Sequence, residues 1–259
     1  MKHNSLRTIW VLAKSNYKEV IRDRLLYGVL VVALLVTASS FFLSTISFAQ
    51  DARVLEDVGL AAIHLFTLFI CIFVATNSVH RDFERRALYL LLPKPISRAE
   101  YVLGKYLGLI LLMLTTLAML GAMFCLGVYF TQSTILLPTL KNLAFSVLEI
   151  SLLTALALLF ATFTAPLNAA LYTSALFIIG HSLTMMRDYA VQLGNVVLID
   201  IMKVVYYLLP NLEKFDMRRP ILYGLHIPAD QVIWSIVYWL LYTGLALFLA
   251  VQVMKKQEV

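Results

Sequence analysis

Charge is scarce in this chain. Only 14% of its 259 residues are Asp, Glu, Lys or Arg, 61% are hydrophobic, and the mean hydropathy is +0.85. A soluble domain is about half apolar and a quarter charged, so the composition excludes a large soluble core and points to an integral membrane protein. Cysteine is scarcer still. Cys71 and Cys125 both lie in apolar runs, form no CxxC or metal-ligand spacing, and read as small packing residues. Hydrolase signatures are missing: there is no H-E-x-x-H, no G-x-S-x-G and no pair of aspartates within the apolar runs, which speaks against an intramembrane enzyme. A phosphate-binding loop is also missing. The sole Gly-Lys step, Gly104-Lys105, continues into Tyr106 rather than Ser or Thr, so any ATP hydrolysis belongs to another chain. Low-complexity linkers, internal repeats and alternating strand patterns are absent, which leaves one membrane domain over residues 1–259 and no β-barrel.

What is present is a series of long apolar runs. A helix needs about 20 apolar residues to cross a bilayer, and the runs at roughly 25–48, 58–79, 102–130, 142–163, 168–186 and 233–254 qualify. Backbone polar groups cannot stay unpaired in lipid, so the runs are expected to be helices. The predicted fold is all-α, with six transmembrane helices. Ser47-Phe48-Ala49 before Gln50 resembles a signal-peptidase site, but the preceding apolar run and basic head are too long for a signal peptide, so this run reads as a retained first span.

The net charge of +6 raises the question of which side the basic residues face, rather than of nucleic acid. With the N-terminus inside and six alternating spans, 14 of the 21 Lys and Arg lie inside. Five of the remaining seven fall in the long stretch from Arg187 to Val232, and long loops weigh little in the positive-inside rule. Both termini are therefore expected in the cytosol, in a multi-pass protein of the inner, cytoplasmic membrane.

Residues 5–23 are predicted to form an interfacial elbow helix. Leu6, Ile9, Trp10, Ala13, Tyr17, Val20 and Ile21 recur at helical spacing, and Lys14, Lys18 and Arg22 lie on a basic stripe beside them, suited to anionic lipid. In the long stretch, VVLIDIMKVVYYLLP (196–210) is apolar but holds Asp200 and Lys203 at i, i+3 and stops at Pro210. It reads as an outer interfacial or re-entrant helix between spans five and six.

The most ordered-looking charged stretch, HRDFERRALYLLLPKPISRAEYVLGKYLG, joins spans two and three. Residues 81–92 form an amphipathic helix with Phe83, Ala87, Leu90 and Leu91 on one side and Arg81, Arg85 and Arg86 elsewhere. Pro93-Lys94-Pro95 breaks it. Ser97 and Glu100 then have the spacing of a capping box, which restarts the chain as span three. Gly104 and Gly108, four apart, make a small-residue seam for close helix packing. So controlled a stop and restart suits a partner that pushes on the helices.

FERRALYLLLPKPISRAEYVLGKYLGL resembles the cytosolic coupling segment of type-2 ABC transporter permeases, most of all the branch containing the permease of the copper-maturation system for nitrous oxide reductase. YKEVIRDRLLYGVL resembles the entry helix and start of span one in that family, and LLPNLEKFDMR the outer segment before span six. That branch usually shows a Gly-Thr step where this chain has Arg86-Ala87. The resemblance implies an exporter-like half-transporter. A second permease copy would complete it, and two separate cytosolic ATPase subunits would hold the ATP and Mg. Residues 81–92 would be the coupling helix seated on the ATPase. It also implies complexes that move or extract a substrate, or transmit force to an accessory protein on the periplasmic or extracellular side. No cofactor is implied in this chain.

Three polar residues stand out inside the spans. Glu149 is the sole carboxylate well inside one, about 12 Å from its outer end by helix rise. Substrate binding, proton work and a neutral structural role are all open for it. His64 and His181, in spans two and five, have no ligand spacing on one helix with each other or with a cysteine. With Glu149 they keep a second function open: an ion- or proton-coupled carrier working without an ATPase.

Overall fold

The computed structural model describes residues 5–22, 27, 30–31, 33–35, 52–84, 97–131, 136–194, 196–222 and 228–256. They contain helices and turns, with no strand among them. The elements are α1 (Ser5–Ile21), α2 (Ala52–Glu84), α3 (Arg98–Thr131), α4 (Leu136–Ala161), α5 (Pro166–Gln192), α6 (Val196–Leu208), a 3-10 turn (Leu212–Phe215), α7 (Arg218–Leu222) and α8 (Ala229–Lys256). Five of these, α2, α3, α4, α5 and α8, are long and apolar enough to cross a membrane. They account for five of the six expected spans. Of the first, only Tyr27, Leu30, Val31, Ala33, Leu34 and Leu35 are described; all six are helical, and Ala33 is fully buried in the main core.

α4 is the centre of the bundle. It packs against α2, α3, α5 and α8, and Ile150, Leu152, Leu153, Ala155 and Ala157 along it are fully buried. Small and branched side chains alternate there, which lets four neighbours approach one helix. The turn from α4 to α5 is short. Thr162 and Thr164 donate to the carbonyls of Leu159 and Phe160, and Pro166 opens α5, where its missing N–H costs nothing. Large apolar residues on α5 and α8, among them Ile178, Met185, Trp234, Leu241 and Phe248, are exposed, as faces toward lipid or another membrane helix must be.

The helix expected at 196–210 is present as α6; the differences are the segment after it and the end of α2. The helix at 196–208 buries no residue, and its Asp200–Lys203 pair (3.1 Å) is exposed. The element that enters the bundle is the segment after it. Asn211, Leu212, Phe215 and Met217 are buried, and Leu212 and Phe215 join the core cluster that holds Ile63 and Ile150. Gly180 makes the room: a Cβ there would lie 2.8 Å from the Pro210 carbonyl oxygen and 2.7 Å from Leu212 Cγ. Polar anchors hold the segment. The Asn211 N–H donates to Tyr238 Oη (2.7 Å), its side-chain amide donates to Thr184 Oγ1 (3.3 Å), and Ser235 Oγ donates to the Lys214 carbonyl (3.0 Å). Short polar backbone survives inside a membrane protein only when buried and bonded in this way.

The second difference lies between spans two and three. No separate helix begins at 81: α2 runs unbroken through Asp82 to Glu84. At 33 residues it is about 50 Å long by helix rise, more than a bilayer core of about 30 Å, so its last turn projects beyond the apolar span.

Candidate functional site

Two polar sites sit in this frame. The first is where α2, α4 and α5 meet. Glu149 Oε1 lies 2.7 Å from His181 Nε2 and 3.3 Å from His64 Nε2. The bundle thus brings together, on one carboxylate oxygen, three side chains separated by up to 117 residues of chain. The Glu149 side chain is 4% exposed, His64 9% and His181 24%. Phe177, one turn before His181 on α5, packs edge-on against His181 (centroids 4.8 Å apart) and stacks with His64 (6.4 Å), so it limits how either imidazole turns. An isolated carboxylate at this depth would be expensive; two ring nitrogens supply the partners a buried acid needs. Cys71 and Cys125 are free thiols, and among the described residues no group of His, Cys, Asp or Glu is arranged to hold a metal ion.

The second site gathers the end of α2, the start of α3, and α1. Lys105 is buried near the start of α3. Its Nζ lies 2.8 Å from Asp82 Oδ2 and donates to Ser78 Oγ (2.7 Å) and Asn16 Oδ1 (3.0 Å). Tyr101 Oη donates to Asp82, and Ser78 Oγ to Asn16 Oδ1 (2.9 Å). Gly104 and Gly108 flank Lys105 and form the seat of α1: an added Cβ would meet Leu12 Cβ at 2.6 Å or the Ala13 carbonyl oxygen at 2.8 Å. On α1, Ala13, Asn16 and Val20 are buried against this seam, while Lys14, Lys18 and Arg22 are exposed on the other side and Leu6 and Trp10 lie bare. One turn before the seam, the Ser97 N–H donates to Glu100 Oε2 (2.8 Å) and the Glu100 N–H to Ser97 Oγ (3.2 Å), the reciprocal pair of a capping box. Arg98 Nη1 donates to the Met254 carbonyl (2.7 Å) and so caps the end of α8.

α1, the end of α2, the start of α3 and the end of α8 therefore share one face of the bundle. Of the residues expected to meet an ATPase, Arg81 lies on this last turn of α2 and Phe83 is in the same helix. Arg85, Arg86, Leu90 and Leu91 lie outside the described residues. Asn16, Ser78, Asp82 and Lys105 were not singled out from the sequence as a group. One signal was there, a lysine inside an apolar run between two glycines four apart. At the opposite end of α8, a cleft of about 550 Å³ is lined by Lys214, Asp230, Gln231, Trp234 and Tyr238, with Lys214 Nζ 4.2 Å from the centre of the Tyr238 ring.

A face of helix ends tied together below a bundle of long apolar helices suits a membrane subunit driven from one side. Residues 10–191, well over half of the chain, match the profile of the ABC-2 family transporter protein. The chain belongs to the ABC-2 transporter family. It is a permease component of an ABC transporter, and membership of the family implies an ABC ATPase as partner. The match begins within α1, runs through α5 and stops before the inserted 209–217 segment and α8. No curated protein matches the chain.

Proposed function

We propose that this ABC-2 permease spans the membrane six times with both termini in the cytosol, works beside a second permease copy, and takes its motion from a separate ATPase through residues 81–92. Phe83, Leu90 and Leu91 would be the apolar anchors, with Arg81, Arg85 and Arg86 at the rim, because buried aliphatic and aromatic anchors dominate such contacts while rim charges tune rate and specificity. The exposed stripe of Lys14, Lys18 and Arg22 on α1 would lie against lipid headgroups.

The observation that supports this reading is the tied helix ends. The segment between Glu84 and Ser97 leaves from Asp82 and re-enters at Lys105, and these two side chains grip each other and α1, while Arg98 grips α8. A push on that segment would reach four helices at once. The 14-to-7 basic asymmetry supports placing this face inside. The resemblance around residues 83–109 favours the copper-maturation branch and an accessory protein on the outer side. The buried Glu149 site supports the second reading, an ion- or proton-coupled carrier without an ATPase.

The test is replacement of residues 85–92 by a flexible basic linker of equal length, which spares Asp82. An ABC ATPase that co-purifies with the wild-type permease should no longer do so, and transport-coupled ATP hydrolysis should vanish while membrane insertion persists. A variant that still binds and still couples overturns the docking. Activity of the purified permease without any ATPase would favour the carrier.

A further inference from the structure

We infer that Glu149, His64 and His181 form a binding site for one exchangeable proton at the junction of α2, α4 and α5. Both imidazoles reach the same oxygen, Oε1, at 2.7 and 3.3 Å. A nitrogen and an oxygen at 2.7 Å attract only with a proton between them. With an ionised Glu149 and two neutral rings each donating Nε2–H, the group carries a net charge of −1. One more proton makes it neutral, whether the proton rests on the carboxyl or on a ring. On a ring the added proton bonds to Nδ1 and gives an imidazolium; passing that ring's Nε2 proton to Oε1 then breaks one N–H bond, forms one O–H bond, leaves a neutral ring with its proton on Nδ1, and keeps the net charge unchanged. Release to water restores the −1 state. His181, the most exposed of the three, is the member through which the proton exchanges; Glu149 and His64 hold it out of solvent.

Among the described residues, the surroundings supply no competing charge inside the cluster. From the inserted segment the Asp216–Arg218 ion pair (3.1 Å) lies within electrostatic reach of His181, and the two members offset each other. α8 brings the phenols Tyr238 and Tyr242, and α3 between Leu109 and Leu126 brings only the thiol of Cys125. The geometry disfavours a metal ion. Tetrahedral ligands bonded at about 2.0–2.1 Å stand about 3.3 Å apart, whereas the His181–Glu149 separation is 2.7 Å.

The site belongs to the permease alone, so it can be tested without the ATPase, and its failure would leave the transport reading untouched. Infrared difference spectra of the purified permease in nanodiscs, titrated with acid and base, should show, beside the exposed carboxylates, one buried group changing protonation, read in a carboxyl band if the proton rests on Glu149 and in imidazole bands if it rests on a ring. The signal should disappear in Glu149→Gln, and its midpoint should move in His181→Asn and in His64→Asn. If Glu149→Gln does not fold, the two histidine variants decide, since each retains the carboxylate. A buried-group signal that survives Glu149→Gln unchanged, a midpoint unmoved in both histidine variants, or no buried-group titration in the wild-type protein overturns the proposal. So does stoichiometric binding of Zn²⁺ by the wild-type protein that Glu149→Gln abolishes, which would make this a cation site.

Discussion

Lys105 Nζ lies 2.8 Å from Asp82 Oδ2, and with the Tyr101 hydroxyl, which donates to the same carboxylate, it ties the last turn of α2 to the first turns of α3. The Lys105 and Asp82 side chains are only 7% and 15% exposed. Lys105 also donates to Asn16 and Ser78, so the ammonium is fully occupied and α1 is tied into the same knot. Removing one partner of such a pair leaves the other as an uncompensated buried charge.

Lys105→Met should therefore destabilise the permease by about 3 kcal/mol, in the range for breaking a buried ion pair from one side. Asp82→Asn combined with Lys105→Met should recover much of that loss, because neither charge is then orphaned. Thermal unfolding of the four proteins of this cycle in one detergent measures the coupling. Additive losses would mean that the pair contributes little.

Gly108→Val should cost about 1–3 kcal/mol through overpacking, because the added Cβ would meet the Ala13 carbonyl oxygen at 2.8 Å and Asn16 Nδ2 at 2.8 Å. Backbone cannot yield as a side-chain tip can, so α1 should lift away from α3. Limited proteolysis near Arg22 should accelerate in the variant and stay slow in the wild-type protein.

The elements legible in the sequence are those whose causes are local. Hydropathy places α2, α3, α4, α5 and α8 because each needs about 20 apolar residues in a row, and Ser97 and Glu100 mark the start of α3 because a cap needs only four residues. The entry helix was legible from the spacing of Ala13, Val20 and their neighbours. Contacts between helices were not. His64, Glu149 and His181 have no shared local spacing and meet only because α4 packs between α2 and α5. The burial of the inserted segment 209–217 is not legible, since nothing nearby in the sequence shows that Gly180 leaves a hollow for Leu212. The end of α2 is not legible for a related reason. Arg81 and Asp82 look like the start of a cytosolic helix, yet Asp82 has Tyr101 and Lys105 as partners, and these lie 19 and 23 residues further along.

Tyr238→Phe should loosen that inserted segment selectively. It removes the phenol oxygen that accepts the Asn211 N–H at 2.7 Å and leaves a buried donor unpaired, at about 1–3 kcal/mol. Hydrogen exchange should rise across residues 209–217 while α2 and α4 stay protected. Equal protection in both proteins would show that Leu212 and Phe215 hold the segment unaided.

Single-cysteine labelling should place the tied face in the cytosol. A membrane-impermeant maleimide applied from outside should reach Lys203→Cys, on exposed α6, and should reach Lys14→Cys and Ser97→Cys only after the membrane is opened. All three native positions are exposed, so a negative result reflects sidedness and not burial. Labelling in the opposite order would invert the topology and remove residues 81–92 from reach of any cytosolic ATPase.

Ser97→Ala should separate binding from coupling. Ser97 Oγ accepts the Glu100 N–H and Glu100 Oε2 accepts the Ser97 N–H, so the hydroxyl supports one half of a reciprocal cap, and its loss should cost about 1 kcal/mol at the start of α3. The residues proposed to seat on the ATPase lie before Pro93 and do not depend on this cap, so the ATPase should bind with unchanged affinity. The first turn of α3 should fray, and with it the grip of Arg98 on the Met254 carbonyl. A push delivered to residues 81–92 would then be absorbed in the loosened turn before it reached α3 and α8. The expected result is ATP hydrolysis that continues while transport per ATP falls severalfold. Ser97→Thr keeps a capping hydroxyl and should restore the wild-type ratio. If Ser97→Ala and the wild-type protein transport equally per ATP, the cap shapes the helix but carries no motion into the membrane.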